Sequence, residues 1–361
     1  MAHTIIREQE FVNALCQLTM APPSQLSAAI SLLNSLTRDE REELLTLANS
    51  HHVIIRALTP VSDAPAASHD LTVWASNAIA SEQARIANAL THLERICNEL
   101  ERAGCQTTVM KTLDHWPDMG NDCDLYSTAN EADICRVMTK SFNAQIEPRS
   151  WGDRLAHKWN FAVPGLPEAV EVHVQRLGQT GEHTDLARRF VTHRVSRTIM
   201  GKTFWVPAPE ERIVVATLQR MYRHFYFRIC DILNSAAIVE SEPGLDFKEL
   251  QRISEYAGIW SGVATYLVIV SDKTKNFRRR GLELPQNVLE AASFGGAEIK
   301  VNASFLRVPI KPHGMKLYMQ QITQTAFRGD VPATFRLSLL PPLASAAAIA
   351  YRLTGSDKGI W

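Results

Sequence analysis

The chain lacks most of the patterns that settle a function at sight. It contains no Gly-x-x-x-x-Gly-Lys-[Ser/Thr] or Gly-x-Gly-x-x-Gly phosphate loop and no Gly-x-Ser-x-Gly nucleophile turn, so those three chemistries have no support. Its six cysteines (Cys16, Cys97, Cys105, Cys123, Cys135 and Cys230) show no Cys-x-x-Cys spacing. They read as reduced, mostly buried thiols of a cytoplasmic protein, not as a zinc site or a disulfide framework. Charge of one sign is also missing. The 38 basic and 38 acidic residues cancel, which excludes a global electrostatic footprint for nucleic acid and leaves room only for a local patch. Long apolar runs are missing too. The most apolar stretch, Leu337 to Tyr351, is short for a membrane span and carries Pro341-Pro342; a buried C-terminal helix starting at the prolines is expected. The opening Met1-Ala-His-Thr-Ile-Ile-Arg-Glu is too polar for a signal peptide, and none is expected. There is no internal repeat and no low-complexity tract.

What is present is ordinary in bulk and specific in one place. The 361 residues suffice for two or three domains, and 45% apolar with 21% charged residues is globular composition. The specific place is Met119-Gly-Asn-Asp-Cys-Asp-Leu-Tyr126. On a strand, Asp122 and Asp124 share one face while Cys123 and Leu125 point into a core. Two carboxylates on one face repel each other unless a cation sits between them, and hard divalent ions such as Mg²⁺ take oxygen ligands. A third acid follows in the same format in Val170-Glu-Val-His-Val-Gln175, where Glu171, His173 and Gln175 share a face opposite three valines. Its strand is the second arm of a hairpin whose first arm is Trp159 to Val163 and whose turn is Pro164-Gly-Leu-Pro167. Three acids on two adjacent strands suit two metal ions for phosphoryl or nucleotidyl transfer.

Elsewhere the pattern is mostly helical. Ser24 to Asn49 has helical spacing, and Leu71 to Ala103 reads as one long helix stopped by Gly104. Thr107 to Lys111 reads as a strand, Asn130 to Phe142 as a helix, and Thr203 to Val206 as a further strand. From Pro207 the chain is helical again, with Glu210 to Glu240 read as one helix. Its apolar arc is Leu218, Met221, Phe225, Ile229, Ile232 and Ala236; a polar stripe of Arg220, His224, Arg228 and Asp231 lies apart from it and is expected to face the acidic strands. Gly258 to Val270 is expected to be a helix and Lys273 to Arg280 a basic loop. The expected fold is α+β and mostly helical: a helical region over 1–103, a small mixed sheet over 104–206 and a helical domain over 207–361.

The segment 100–270 resembles the nucleotidyltransferase superfamily of DNA polymerase β type. It is most similar to an uncharacterised bacterial branch that reads Lys-Gly, a variable stretch, Asp-x-Asp-Leu, then a strand ending acid-x-His. Lys111, Asp122, Asp124-Leu125 and Glu171-Val-His173 match, and the region Pro207 to Asp231 matches more faintly. The resemblance implies that Asp122, Asp124 and Glu171 hold two Mg²⁺ ions, and that Lys111, His173 and Arg228 bind the substrate, a nucleoside triphosphate. The acceptor is unspecified: a small molecule, an RNA end or a protein. One departure stands out. The superfamily has Gly-Ser or Gly-Gly after the first strand, whereas here Lys111 is followed by Thr112-Leu-Asp114.

Other candidates carry two readings each. Arg154, His157 and Lys158 read as one solvated helical face or as the lining of a phosphate cleft. The stripe from Arg220 to Asp231 reads as an ion-pair network or as the floor of a nucleotide site. Lys273, Lys275, Arg278, Arg279 and Arg280 read as a solubilising loop or an RNA contact. His51-His52 reads as surface. Two rivals to the transferase follow: a non-catalytic nucleotide-binding or scaffolding protein that keeps the fold, and a nucleic-acid module using the 273–280 run.

Overall fold

The computed structural model describes residues 2–241, 244–302 and 304–354. Five helices open the chain: α1 (Ala2–Met20), α2 (Ser27–Ser35), α3 (Arg38–Ser50), α4 (Ile54–Ser62) and α5 (His69–Arg102). The single helix expected over 24–49 is two, because Thr37 starts a new one. Its hydroxyl accepts from the Glu40 backbone while the Glu40 carboxylate accepts from its own N–H. Helix α5 is capped by Ser68, and Gly104 turns out of it at φ +80, a conformation cheap only for glycine.

The central segment holds β1 (Thr107–Val109), β2 (Asp122–Ser127), α6 (Glu131–Phe142), β3 (Gln145–Ile146), α7 (Trp151–Leu155), β4 (Lys158–Ala162), β5 (Ala169–Val174), α8 (Asp185–Thr192), β6 (Val195–Ile199) and β7 (Lys202–Val206). Five of these strands form a mixed sheet in the order β1-β2-β5-β4-β3. Only β2 and β5 run parallel, with Asp124 beside Glu171 and Tyr126 beside His173. Alternation then sorts the side chains. Cys123, Leu125, Val170 and Val172 enter one apolar core with Leu90 and Leu93 of α5 and Ile134 and Met138 of α6. Burying each of those aliphatic side chains stabilises by roughly 1.5–3 kcal/mol. The opposite face carries Asp124, Tyr126, Glu171 and His173.

The remainder comprises α9 (Pro209–Thr217), β8 (Tyr226–Phe227), α10 (Ile229–Glu240), α11 (Phe247–Tyr256), α12 (Trp260–Arg278), α13 (Gln286–Ala291), β9 (Lys300–Asn302), β10 (Phe305–Arg307), α14 (Met315–Phe327), α15 (Val331–Ser338) and α16 (Leu340–Thr354). A second apolar core joins α1 and α4 to α9, α10 and α12, through residues such as Leu15, Leu58, Ile213, Ile232 and Leu267. Tyr126 on the acidic face of the sheet belongs to this second core, so that face looks across the seam between the two. The protein is α+β, mostly helical, with a small mixed sheet.

Several expectations give way here. The helix expected over 210–240 is broken. Leu218–Arg223 is a widened π-helical turn, Phe225 stands at φ +53, and Tyr226–Phe227 pairs with β10 before α10 begins. The widened turn seats Tyr222 against Gly262, where an added Cβ would lie 2.3 Å from its hydroxyl. The 273–280 run is not a loop. Lys273, Lys275 and Arg278 are on α12, Arg279 caps it in the left-handed region, and Arg278 and Arg280 pair with Glu240 and Glu283. Lys273 donates to the Ile299 carbonyl. His51 and His52 are not surface residues but 0% and 4% exposed, because Val53 and α4 carry them under α10. The C-terminal apolar stretch does form α16 from the prolines, yet it is exposed where its side chains are described: Pro341, Pro342 and Ala344 face out, as does Ile349. Apolar content there is mostly alanine, and the neighbouring α15 is itself a surface helix. Among the described residues no helix is long and apolar enough to cross a membrane.

Candidate metal centre

Four elements build the site. Strand β2 delivers Asp124, whose backbone N–H donates to Thr112 Oγ1 at 2.8 Å; this hydroxyl fixes the turn between β1 and β2. Strand β5 delivers Glu171 and His173. The turn after β1 delivers Lys111, held at φ +54. That is a glycine-like conformation in a lysine, so the tight turn is made at the residue bearing the charge. The strand itself stops at Val109, two residues short of the expected end. Strand β4 delivers Lys158, which lies opposite His173 in the antiparallel register.

The side chains converge. One oxygen each of Asp124 and Glu171 and one nitrogen of His173 all lie within 4.8 Å of one another. His173 Nε2 is 2.7 Å from Glu171 Oε1 and 4.0 Å from Asp124 Oδ1. Lys111 Nζ is 2.6 Å from Asp124 Oδ1, and Lys158 Nζ bridges Glu171 Oε2 and Asp153 Oδ1 at 2.9 Å each. Lys111 is thus the close partner of Asp124 Oδ1, whereas His173 Nδ1 is buried with no hydrogen-bond partner. Asp122 stands at the exposed start of β2, outside the converging trio, but close enough that its charge is felt by Asp124.

Burial and charge divide the acids. Burial, then the neighbouring Asp122 charge, push Asp124 well above the usual carboxylate range, against the pull of Lys111. Burial also pushes Glu171 up, but the His173 hydrogen bond and the Lys158 and Lys111 charges outweigh it and hold Glu171 well below its ordinary range. Burial keeps His173 below the usual imidazole value, with Glu171 pulling the other way. His224 is lowered to about 2, first by burial and then by the charges of Arg223, Arg220, Lys111 and Arg228, four cations around one ring.

A cleft with about 640 Å³ of open space, part of it bulk solvent, is lined by Lys111 and by His173 of the triad and runs past Gln179, Val215, Tyr222 and Arg223. Its far wall is the widened turn after α9. The second half of the chain therefore faces the acidic strands, but not through the expected stripe. Arg220 is 1% exposed and paired with Asp231 at 2.7 Å behind the wall. Arg228 bonds His52 Nε2 at 2.7 Å, and its own N–H donates to Asp231. The expected solvated face of Arg154, His157 and Lys158 dissolves as well: Arg154 is exposed on α7, whereas Lys158 begins β4 and is buried against Glu171. Thr112, Asp153, Gln179 and Arg223 escaped the sequence reading. Thr112 sits beside Lys111 and Asp153 is an N3 acid of a capping box, both common patterns; nothing local marks Arg223.

No family model matches the chain, and no curated protein matches it. Among solved structures it is similar to one described as an antigenic nucleotidyltransferase-like protein from Paracoccidioides brasiliensis, with a TM-score of 0.31 and 18% identity over 49% of this chain and 92% of that one. A likeness this distant leaves the function to be read from the site.

Proposed function

We propose that the protein is a metal-dependent nucleotidyltransferase that moves a nucleoside monophosphate from a triphosphate to a hydroxyl-bearing acceptor and releases pyrophosphate. The observation that carries this reading is the parallel register of β2 and β5, which sets Asp124, Glu171 and His173 together, with His173 and Lys111 on the wall of a cleft. The donor set fits a divalent cation: two carboxylates and an imidazole whose ligand atoms converge, with one carboxylate oxygen met only by the Lys111 ammonium. Asp124 and Glu171 would hold the ions, Mg²⁺ by the superfamily's habit, with Asp122 at the mouth completing a second position. Such ions neutralise charge on the triphosphate and on the oxygen that attacks it. The chain's own part is orientation. Lys111, in its strained turn, is placed to meet phosphate oxygens. Thr112 fixes Asp124, Lys158 fixes Glu171, and Arg223 on the cleft wall is a further cation for the polyphosphate chain, in place of Arg228, which is turned to His52. The segment 104–206 would serve as the transferase core and 207–361 as the opposing wall. Six free thiols support a reducing, cytoplasmic setting.

The test is transfer of α-labelled nucleotide onto cell extract, with pyrophosphate release measured in parallel. Glu171→Gln is expected to reduce turnover by at least about 100-fold while nucleotide affinity changes by less than about tenfold, as for a group whose contact is made chiefly in the transition state. A variant that transfers label at the wild-type rate removes Glu171 from the mechanism. One observation favours a second reading: Lys111 and Lys158 already balance both acids. A non-catalytic nucleotide-binding protein would bind a triphosphate and release no pyrophosphate in the same assay.

A further inference from the structure

We infer that Asp124, Glu171 and His173 form a mixed carboxylate–imidazole centre that takes a first-row transition divalent ion, Mn²⁺ being the spectroscopic probe, through His173 Nε2 as a direct ligand. The inference rests on the transferase reading only for the place of the site. Three features of the geometry support it. First, the trio that converges contains the histidine and not Asp122, whose carboxylate stands at the exposed end of β2. Second, the separations suit one ion. Ligand atoms about 2.1 Å from a metal lie about 3 Å from one another; here Nε2 is 2.7 Å from Glu171 Oε1 and 4.0 Å from Asp124 Oδ1, so closing on an ion takes a shift of about 1 Å at Asp124. Third, Asp124 Oδ1 and His173 Nδ1 are buried polar atoms without hydrogen bonds. The Lys111 ammonium is the cation that meets this carboxylate oxygen now, and a metal ion can take its place.

Ligand chemistry then selects the ion. Mg²⁺ demands near-ideal octahedral oxygen coordination and sheds water reluctantly, whereas imidazole suits the later first-row ions. Binding puts the ion on Nε2 in place of its proton; the neutral ring keeps a single proton, now on Nδ1, so the exchange is a change of tautomer with no net proton release. Lys158 stays on Glu171 Oε2, leaving Oε1 for the metal. Lys111 must move off Asp124 Oδ1, which frees its ammonium for a phosphate oxygen. The ion and the polyphosphate are thus expected to bind more tightly together than apart.

The experiment titrates the full chain with Mn²⁺ and with Mg²⁺ by calorimetry, with and without inorganic tripolyphosphate, and records the pulsed EPR spectrum of the Mn²⁺ form. Oxygen-only sites also accept Mn²⁺, so two readouts decide. Wild type is expected to show nitrogen hyperfine coupling on bound Mn²⁺ and at least about tenfold preference over Mg²⁺; H173Q, its fold checked by circular dichroism, should lose the coupling and bring the preference within about threefold. H173N serves if H173Q does not fold. Bound Mn²⁺ without nitrogen coupling, or an unchanged preference in the variant, overturns the inference. Mg²⁺-dependent nucleotide binding that survives in those cases leaves the transferase reading standing. No divalent-ion binding in any form, with nucleotide binding indifferent to chelator, removes both.

Discussion

Asp124 and Glu171 are side by side on parallel strands, yet their surroundings drive them apart. Glu171 has a histidine and a lysine as partners and stays ionised; Asp124 has one ammonium and a second carboxylate nearby. The less satisfied group is the one with most to gain from a cation. Asp124→Asn is therefore expected to weaken Mg²⁺- or Mn²⁺-dependent nucleotide binding by about 1.5–3 kcal/mol, roughly tenfold to a hundredfold, the usual worth of a charged partner. Asp122→Asn, at an exposed position, should cost less than tenfold. Calorimetry with and without the metal measures both. Equal losses for the two variants would show that Asp122 and Asp124 share the ion evenly and that the buried trio is not its centre.

At the scale of elements, what could be read in advance was the strand pair, because a period of two is unambiguous. Valines at 170, 172 and 174 leave Glu171 and His173 only one direction to face, and Cys123 and Leu125 do the same for Asp124. The register between β2 and β5 was not in the sequence; it arises from the crossover through α6 and the 145–162 hairpin. The break after α9 was hidden for a related reason. Leu218, Met221, Ile229 and Ile232 are buried on either side of it, so an apolar arc at helical spacing continues across a turn that is not α-helical. What stabilises the break is long-range. Strand β10 pairs with β8, and Arg220 reaches across to Asp231 at the start of α10. Arg220→Ala strands a buried carboxylate and is expected to cost about 3–5 kcal/mol, read as a lower urea midpoint. The double variant R220M/D231N, which leaves no unpaired charge, should recover part of the loss. A single-variant cost below about 1 kcal/mol would mean that solvent reaches the pair and that the break is held by the strands alone.

Across the whole molecule, the feature that governs acid behaviour is a set of imidazoles kept neutral. Burial lowers His51, His52, His115, His157, His173, His183 and His224, and nearby arginines lower most of them further. Unfolding releases these rings to a pKa near 6.5. Below that pH the unfolded chain binds more protons than the folded one, so stability falls as the solution is acidified and goes on falling until each folded value is reached. His51, held at about 4, and His224, at about 2, are both still neutral at pH 4.5 in the folded chain. Each then costs about 3 kcal/mol, roughly two pH units at 1.36 kcal/mol each. Together that is a sizeable share of the 5–15 kcal/mol that a folded protein typically has. Three acids work in the other direction: Asp118, Asp124 and Glu211 are raised by burial and take up protons in the folded state first. They offset part of the loss, but the histidines outnumber them. The urea midpoint is therefore expected to drop steadily from about pH 7 to about pH 5, before ordinary surface carboxylates titrate. His224→Asn should flatten the slope, since it removes a ring that four cations keep from protonating. A midpoint level or rising across that range would place these histidines in contact with solvent, and the polar wall of the cleft with them.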